Sequence, residues 1–155
     1  MTTLPRYAVP FLALSLAACG GSDATPETDG TPAESAVTAA SPEFTVSIIE
    51  PMDGAEVDGP NITVRLAAAG VEITPAGEVV SGTGHHHLYL DADLTAPGMP
   101  VPSIPGEIIH MGDGSEAYLF EGVMPGEHRL IAVVADGVHL QLQPWVVDTV
   151  TFTVR

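Results

Sequence analysis

The chain has 155 residues, enough for one domain or one domain with a tail. Twenty Asp and Glu stand against four Arg and no Lys. Such a surface repels nucleic acid and anionic lipid headgroups, and the missing lysines exclude Schiff-base, phosphate-loop and lysine-base chemistry. All twenty acids and three of the arginines follow Cys19, so the chain beyond it carries a net charge of about −17 at neutral pH.

Residues 1–18 read as a signal peptide. Arg6 supplies the positive start, and Tyr7 to Ala18 is an apolar run too short to span a bilayer as a permanent anchor. The run ends in Leu16-Ala17-Ala18-Cys19 and is followed by Gly20-Gly21-Ser22, which resembles the bacterial lipobox. That resemblance implies that the Cys19 thiol takes a diacylglyceryl group and becomes the new N-terminus, with several acyl chains giving stable membrane attachment. Cys19 is the only cysteine, so the chain has no internal disulfide. The expected location is the periplasmic side of the cell envelope, anchored to a membrane.

Residues 19–43 are rich in Gly, Ser, Thr, Pro, Ala and acid, with Val37 the only sizeable apolar side chain. Too little apolar surface is available to offset chain entropy, and the segment reads as a disordered acidic tether.

From Phe44 to Arg155 the pattern becomes short β segments punctuated by Gly and Pro. Phe44 to Ile49, Asn61 to Leu66, His85 to Asp91, Ser115 to Val123, Glu127 to Ala135 and Val146 to Val154 read as strands. Val71 to Val80, with Pro75-Ala76-Gly77 at its middle, reads as a hairpin, and Ala96 to Gly106, with four prolines, as a loop. About seven strands predict an all-β, immunoglobulin-like two-sheet β-sandwich, with a small β-barrel as the alternative. Pro125-Gly126-Glu127-His128 falls between two strands, where His128 is expected to bond back to the backbone as a structural corner.

The stretch Gly84-His85-His86-His87-Leu88-Tyr89-Leu90-Asp91 carries the candidate site. Strand alternation puts His85, His87, Tyr89 and Asp91 on one face and His86, Leu88 and Leu90 on the other. Leu88 and Leu90 belong in the core, which fixes where His85 and His87 point. Their Cα atoms lie roughly 6.5–7 Å apart, a workable His-x-His chelating pair for Zn or Cu. A third ligand is expected among His110, His139, Asp91 and Asp93, and Met111 beside His110 would suit Cu(I). Against this stands a purely structural reading, in which the histidines are satisfied by carbonyls and carboxylates. A calcium site at Asp91-Ala92-Asp93 or Asp113 to Glu116 lacks the EF-hand spacing.

Several of these motifs together resemble the bacterial domain-of-unknown-function 4399 family. They are Pro51-x-Asp53-Gly54, Pro75-Ala76-Gly77, the triple histidine with its flanking Gly84 and Leu88, His110-x-Gly112-x-Gly114 and Pro125-Gly126-x-His128. The resemblance covers Phe44 to Arg155 and implies a small exported sandwich domain without an established activity. This chain departs from the family pattern at Met111, where Phe is common. It also departs after His139, where a second histidine is common and Leu140-Gln141-Leu142-Gln143-Pro144 follows instead.

No Gly-x-Ser-x-Gly elbow and no His-Glu-x-x-His motif is present. A metal-assisted hydrolase on His85 and His87 would need a base such as Glu107 or Glu116, which no motif singles out. The sequence thus predicts a binding or structural module rather than an enzyme.

Overall fold

The computed structural model describes residues 43–155. The expected signal peptide, Cys19 and all but the last residue of the expected tether lie outside them. Nine strands follow in chain order: β1 (Thr45–Glu50), β2 (Ala55–Val57), β3 (Ile62–Ala69), β4 (Glu72–Ile73), β5 (Thr83–Leu90), β6 (Ile108–Met111), β7 (Ala117–Phe120), β8 (Gly126–Ala135) and β9 (Val147–Val154). Among the described residues no helix is long and apolar enough to cross a membrane.

The strands form two sheets. The smaller has the order β1-β3-β7 and the larger β2-β9-β8-β5-β4, with β6 pairing the later residues of β5 along the same edge as β4. This is the expected all-β two-sheet sandwich, with nine strands where about seven were expected. Short β2 runs parallel to β9, pairing Ala55 with Phe152 and Val57 with Val154. The hairpin expected over Val71 to Val80 is not formed. Glu72 and Ile73 pair instead in parallel with Thr83 and Gly84, and the rest of the segment is loop. Val71 is buried in the core, but Val79 and Val80 are exposed, so the second half of the segment had no buried face to hold it as a strand.

The main core lies between the sheets. Val46, Ile48, Val64 and Leu66 from the smaller sheet meet Leu88, Leu90, Leu130, Ala132, Val134, Val150 and Phe152 from the larger. Each of these side chains other than Ala132 contributes on the order of 1.5–3 kcal/mol by leaving water. The larger sheet is also covered on its outer face, where Tyr89, Ile131, Val133 and Ala135 pack against Val101 and Ile108, with Leu94 and Val147 at the margin. Strand β5 is therefore buried on both faces from Gly84 to Leu90. The loop between β5 and β6 and the segment between β8 and β9 meet over this outer face: Val101 N donates to His139 O at 2.9 Å, and Pro100 bridges Leu140.

Candidate metal centre

Strand β5 is held on both sides, by β8 and by β6. Residues directly opposite each other in an antiparallel ladder share a face. His86 lies opposite Val134 and Met111, both in the inter-sheet core, so it faces inward. His85 and His87 lie opposite Ala135 and Val133, which belong to the outer cluster, so they face outward with Tyr89. The alternation expected from Leu88 and Leu90 places the rings as it predicts.

His87 is also directly opposite His110 on β6, which brings a third imidazole to the same face. The fourth comes from a turn after β8. Asp136 Oδ1 accepts the N–H groups of Val138 at 3.0 Å and Leu140 at 2.9 Å, and His139 N donates to Asp136 O at 3.0 Å. This turn holds His139 at φ 71°, in the left-handed region that a β-carbon disfavours. A glycine or asparagine would sit there with less strain, so the histidine is explained by its ring and not by its backbone.

The four rings converge. His85 and His87 approach Nε2 to Nε2 at 3.0 Å, and His110 and His139 Nε2 to Nε2 at 3.1 Å. His85, His110 and His139 each offer a ring nitrogen within 4.8 Å of the others. The six ring-centroid separations span only 4.6 to 5.7 Å. A flat square would make its two diagonals about 1.4 times its edges, whereas a tetrahedron makes all six equal, and these distances are closer to the tetrahedron. With Zn–N bonds of about 2.0–2.1 Å, tetrahedral nitrogens sit about 3.3–3.4 Å apart, close to the two short pairs.

Burial prepares the rings chemically. His85 and His87 are fully buried, His139 is half-buried and His110 exposed. Burial first, then repulsion from His110 and His139, pushes the His85 imidazole down to about 4. His87 is pushed down to about 3 by burial and then by its three neighbours in the cluster. His110 is lowered too, by burial and by His139. Neutral imidazoles are the form a metal ion binds, so at neutral pH no proton must leave His85, His87 or His110 first. The structural reading of the histidines would have their ring nitrogens bonded to carbonyls or carboxylates. Instead the Nδ1 atoms of His85 and His87 meet no partner, and their Nε2 atoms meet each other.

Gly112 completes the arrangement. A β-carbon there would stand 2.2 Å from His110 Cε1 and 2.4 Å from Nε2, so the ring folds over Gly112 in space that only glycine leaves free. Asp136 was not singled out from the sequence, and Gly112 entered only through the family motif His110-x-Gly112-x-Gly114. The Asp-Gly pair at 136 and 137 was the available turn signal.

Other candidates separate from this cluster. Asp91 is not among the four rings. It follows β5 at φ 56°, its Oδ1 accepts the N–H of Arg129 at 2.9 Å, and its Oδ2 receives His128 Nδ1 at 2.6 Å. Alternation gave the right face but ignored distance: four residues of strand put it about 13 Å from His87. Asp93 pairs with Arg129 at 2.6 Å. Met111 is buried in the inter-sheet core, on the opposite face of β6 from His110, so its thioether is not offered to the site. Asp113 Oδ1 caps its own turn through Ser115 N at 2.9 Å.

His128 is the third residue of β8, just past the turn that follows β7, and lies opposite Phe152 of β9. Its Nε2 donates to Met124 O at 2.8 Å, four residues upstream, and its Nδ1 pairs with Asp91. Both ring nitrogens act as donors. Burial lowers its affinity for a proton, but the hydrogen bonds to Asp91 and Met124 and the Asp91 charge outweigh it, and the pKa is raised.

No curated protein matches the chain. Among solved structures, it is similar to an engineered protein at 14% identity, with a TM-score of 0.43, covering 75% of this chain and 21% of that one. It is also similar to the endo-β-1,4-mannanase from Thermotoga petrophila at 19% identity, with a TM-score of 0.43, covering 73% of this chain and 20% of that one. The chain thus spans about a fifth of the length of these structures. The family of domains of unknown function numbered DUF4399 matches residues 64–155, from the middle of β3 through all four converging histidines to the last residue. The chain belongs to the DUF4399 family.

Proposed function

We propose that this chain is an exported lipoprotein whose sandwich domain binds a divalent metal ion, zinc before copper, through His85, His87, His110 and His139. The observation that carries this is the convergence of four imidazoles, two of them fully buried, from β5, β6 and the turn after β8. The near-uniform ring separations favour a tetrahedral ion such as zinc over a tetragonal copper(II). The site draws no thioether from Met111, which removes the soft donor that would favour copper(I). Its role is binding rather than catalysis. Catalytic zinc keeps one position for water beside three protein ligands, and here a fourth imidazole stands beside the other three.

The lipid anchor at Cys19, the periplasmic location and the acidic tether are supported by residues 1–43 of the sequence. The membrane is then a partner through the lipid alone. The strongly acidic composition argues against nucleic acid.

Two experiments test this. Metal content is measured on protein purified without an affinity tag, followed by calorimetric titration of Zn(II) and Cu(II) into the parent and a His85→Ala/His87→Ala double variant. Zinc binding by the parent and its loss in the variant is expected. Equal binding by both, or none by either, removes the site. For the anchor, Cys19→Ser is expected to leave the detergent phase on phase partitioning, and partitioning like the parent refutes lipidation.

A further inference from the structure

The four histidines are not equivalent. His85 and His87 are fully buried on a strand locked between two neighbours, with their Nε2 atoms 3.0 Å apart. His110 is exposed, and His139 is half-buried on a turn whose next residue toward β8, Val138, is itself exposed. Their Nε2 atoms are 3.1 Å apart. The cluster is thus a floor of two rings beneath a rim of two, and solvent meets only the rim.

We propose that the ion is exchangeable cargo, taken up and given up at the rim by direct exchange of His139 and His110 for an incoming chelating donor while His85 and His87 hold it from below. This rests on the metal-binding reading above. The incoming ligand is a nitrogen- or sulfur-donor chelator, free or carried on another protein. Each bond it forms to the ion replaces one imidazole bond, the released imidazole leaves neutral, and the ion keeps its charge. The left-handed backbone at His139 favours this order. Its ring is held by one turn built on Asp136, whereas the floor rings move only with the central strand of a sheet buried on both faces. A fixed structural ion would be enclosed on all sides; this one has an exposed side with two displaceable ligands.

The test uses the zinc-loaded full chain and 4-(2-pyridylazo)resorcinol as the chelator, followed by absorbance. The release rate is expected to rise linearly with chelator concentration. His139→Ala is expected to steepen that dependence by about tenfold or more, and by more than it raises the chelator-independent rate, since a direct ligand is worth at least the tenfold of an outer partner. His110→Ala, at an exposed position where folding is not at stake, gives the same steepening. His87→Ala, checked for folding by its melt, raises the chelator-independent rate instead. Bound zinc whose release ignores chelator concentration overturns the cargo proposal alone, as does a rim variant and a floor variant changing the same component. A parent that binds no zinc overturns the metal reading itself.

Discussion

Gly112→Ala separates the candidate site from the fold that carries it. The added methyl would stand 2.2 Å from His110 Cε1 and 2.4 Å from Nε2, distances no pair of carbon and ring atoms sustains. The backbone of Gly112 does not lie in the left-handed region, so alanine meets no conformational penalty of its own. His110 is exposed, so its ring can swing into solvent without opening a cavity. The stability cost is then below about 1 kcal/mol, a change in Tm of less than about 4–8 °C for a domain of this size. The metal site loses one of four ligands. Outer partners of metal ligands are worth about 10–100-fold in affinity, and a ligand is worth at least as much. Calorimetric Zn(II) titration and a thermal melt of the metal-free protein read the two effects separately. Gly137→Ala is the contrast: its methyl would stand 2.2 Å from Glu78 O, a backbone atom that cannot swing away, and it is expected to lower the melting temperature strongly. The reasoning is refuted if Gly112→Ala binds zinc as the parent does, or if it destabilises the metal-free fold as much as Gly137→Ala.

His86→Leu is expected to stabilise the domain by about 1 kcal/mol or more, because both ring nitrogens are buried without a partner in an apolar core; a clear loss in a urea melt contradicts this. His128→Ala is expected to cost on the order of 1–3 kcal/mol while zinc affinity stays unchanged, and loss of zinc without loss of stability would move His128 to the ligand set. The folded pKa of His128 is raised, so its contribution is full below the unfolded value near 6.5 and fades as pH rises through the folded value; an alkaline decline that persists in His128→Ala has another source. The folded pKa values of His85 and His87 are depressed to about 4 and about 3, so in metal-free protein their contribution is full above about 6.5 and is lost as pH falls toward those values; a flat melting temperature between pH 7 and pH 4 refutes it.

Much of the site could be read from one dimension of the chain. Leu88 and Leu90 fixed the orientation of β5, and with it the outward direction of His85 and His87. His110 and His139 were among the possible third ligands, but so were Asp91 and Asp93, and alternation had no means to choose between them. The choice is made by long-range pairing: His87 opposite His110 depends on β6, a four-residue strand that follows a proline-rich loop and has no periodicity of its own. His139 depends on a turn anchored through Asp136 and docked by Val101. The strand content was underestimated for a similar reason. β2, β4 and β6 are two to four residues long, and each exists because a longer strand beside it offers a ladder.

Those short strands have a consequence for how copies of this domain meet one another. An open sheet edge is a template for another chain, and a long one invites continued pairing. Here one edge of the larger sheet is the three residues of β2 and the other is divided between the two residues of β4 and the four of β6. On the smaller sheet, β1 breaks register between Ile48 and Glu50, which bends that edge away from a straight partner. Neighbouring molecules concentrated on one surface therefore find only a few backbone groups to share at any edge, and the domain can be crowded without being drawn into a growing intermolecular sheet.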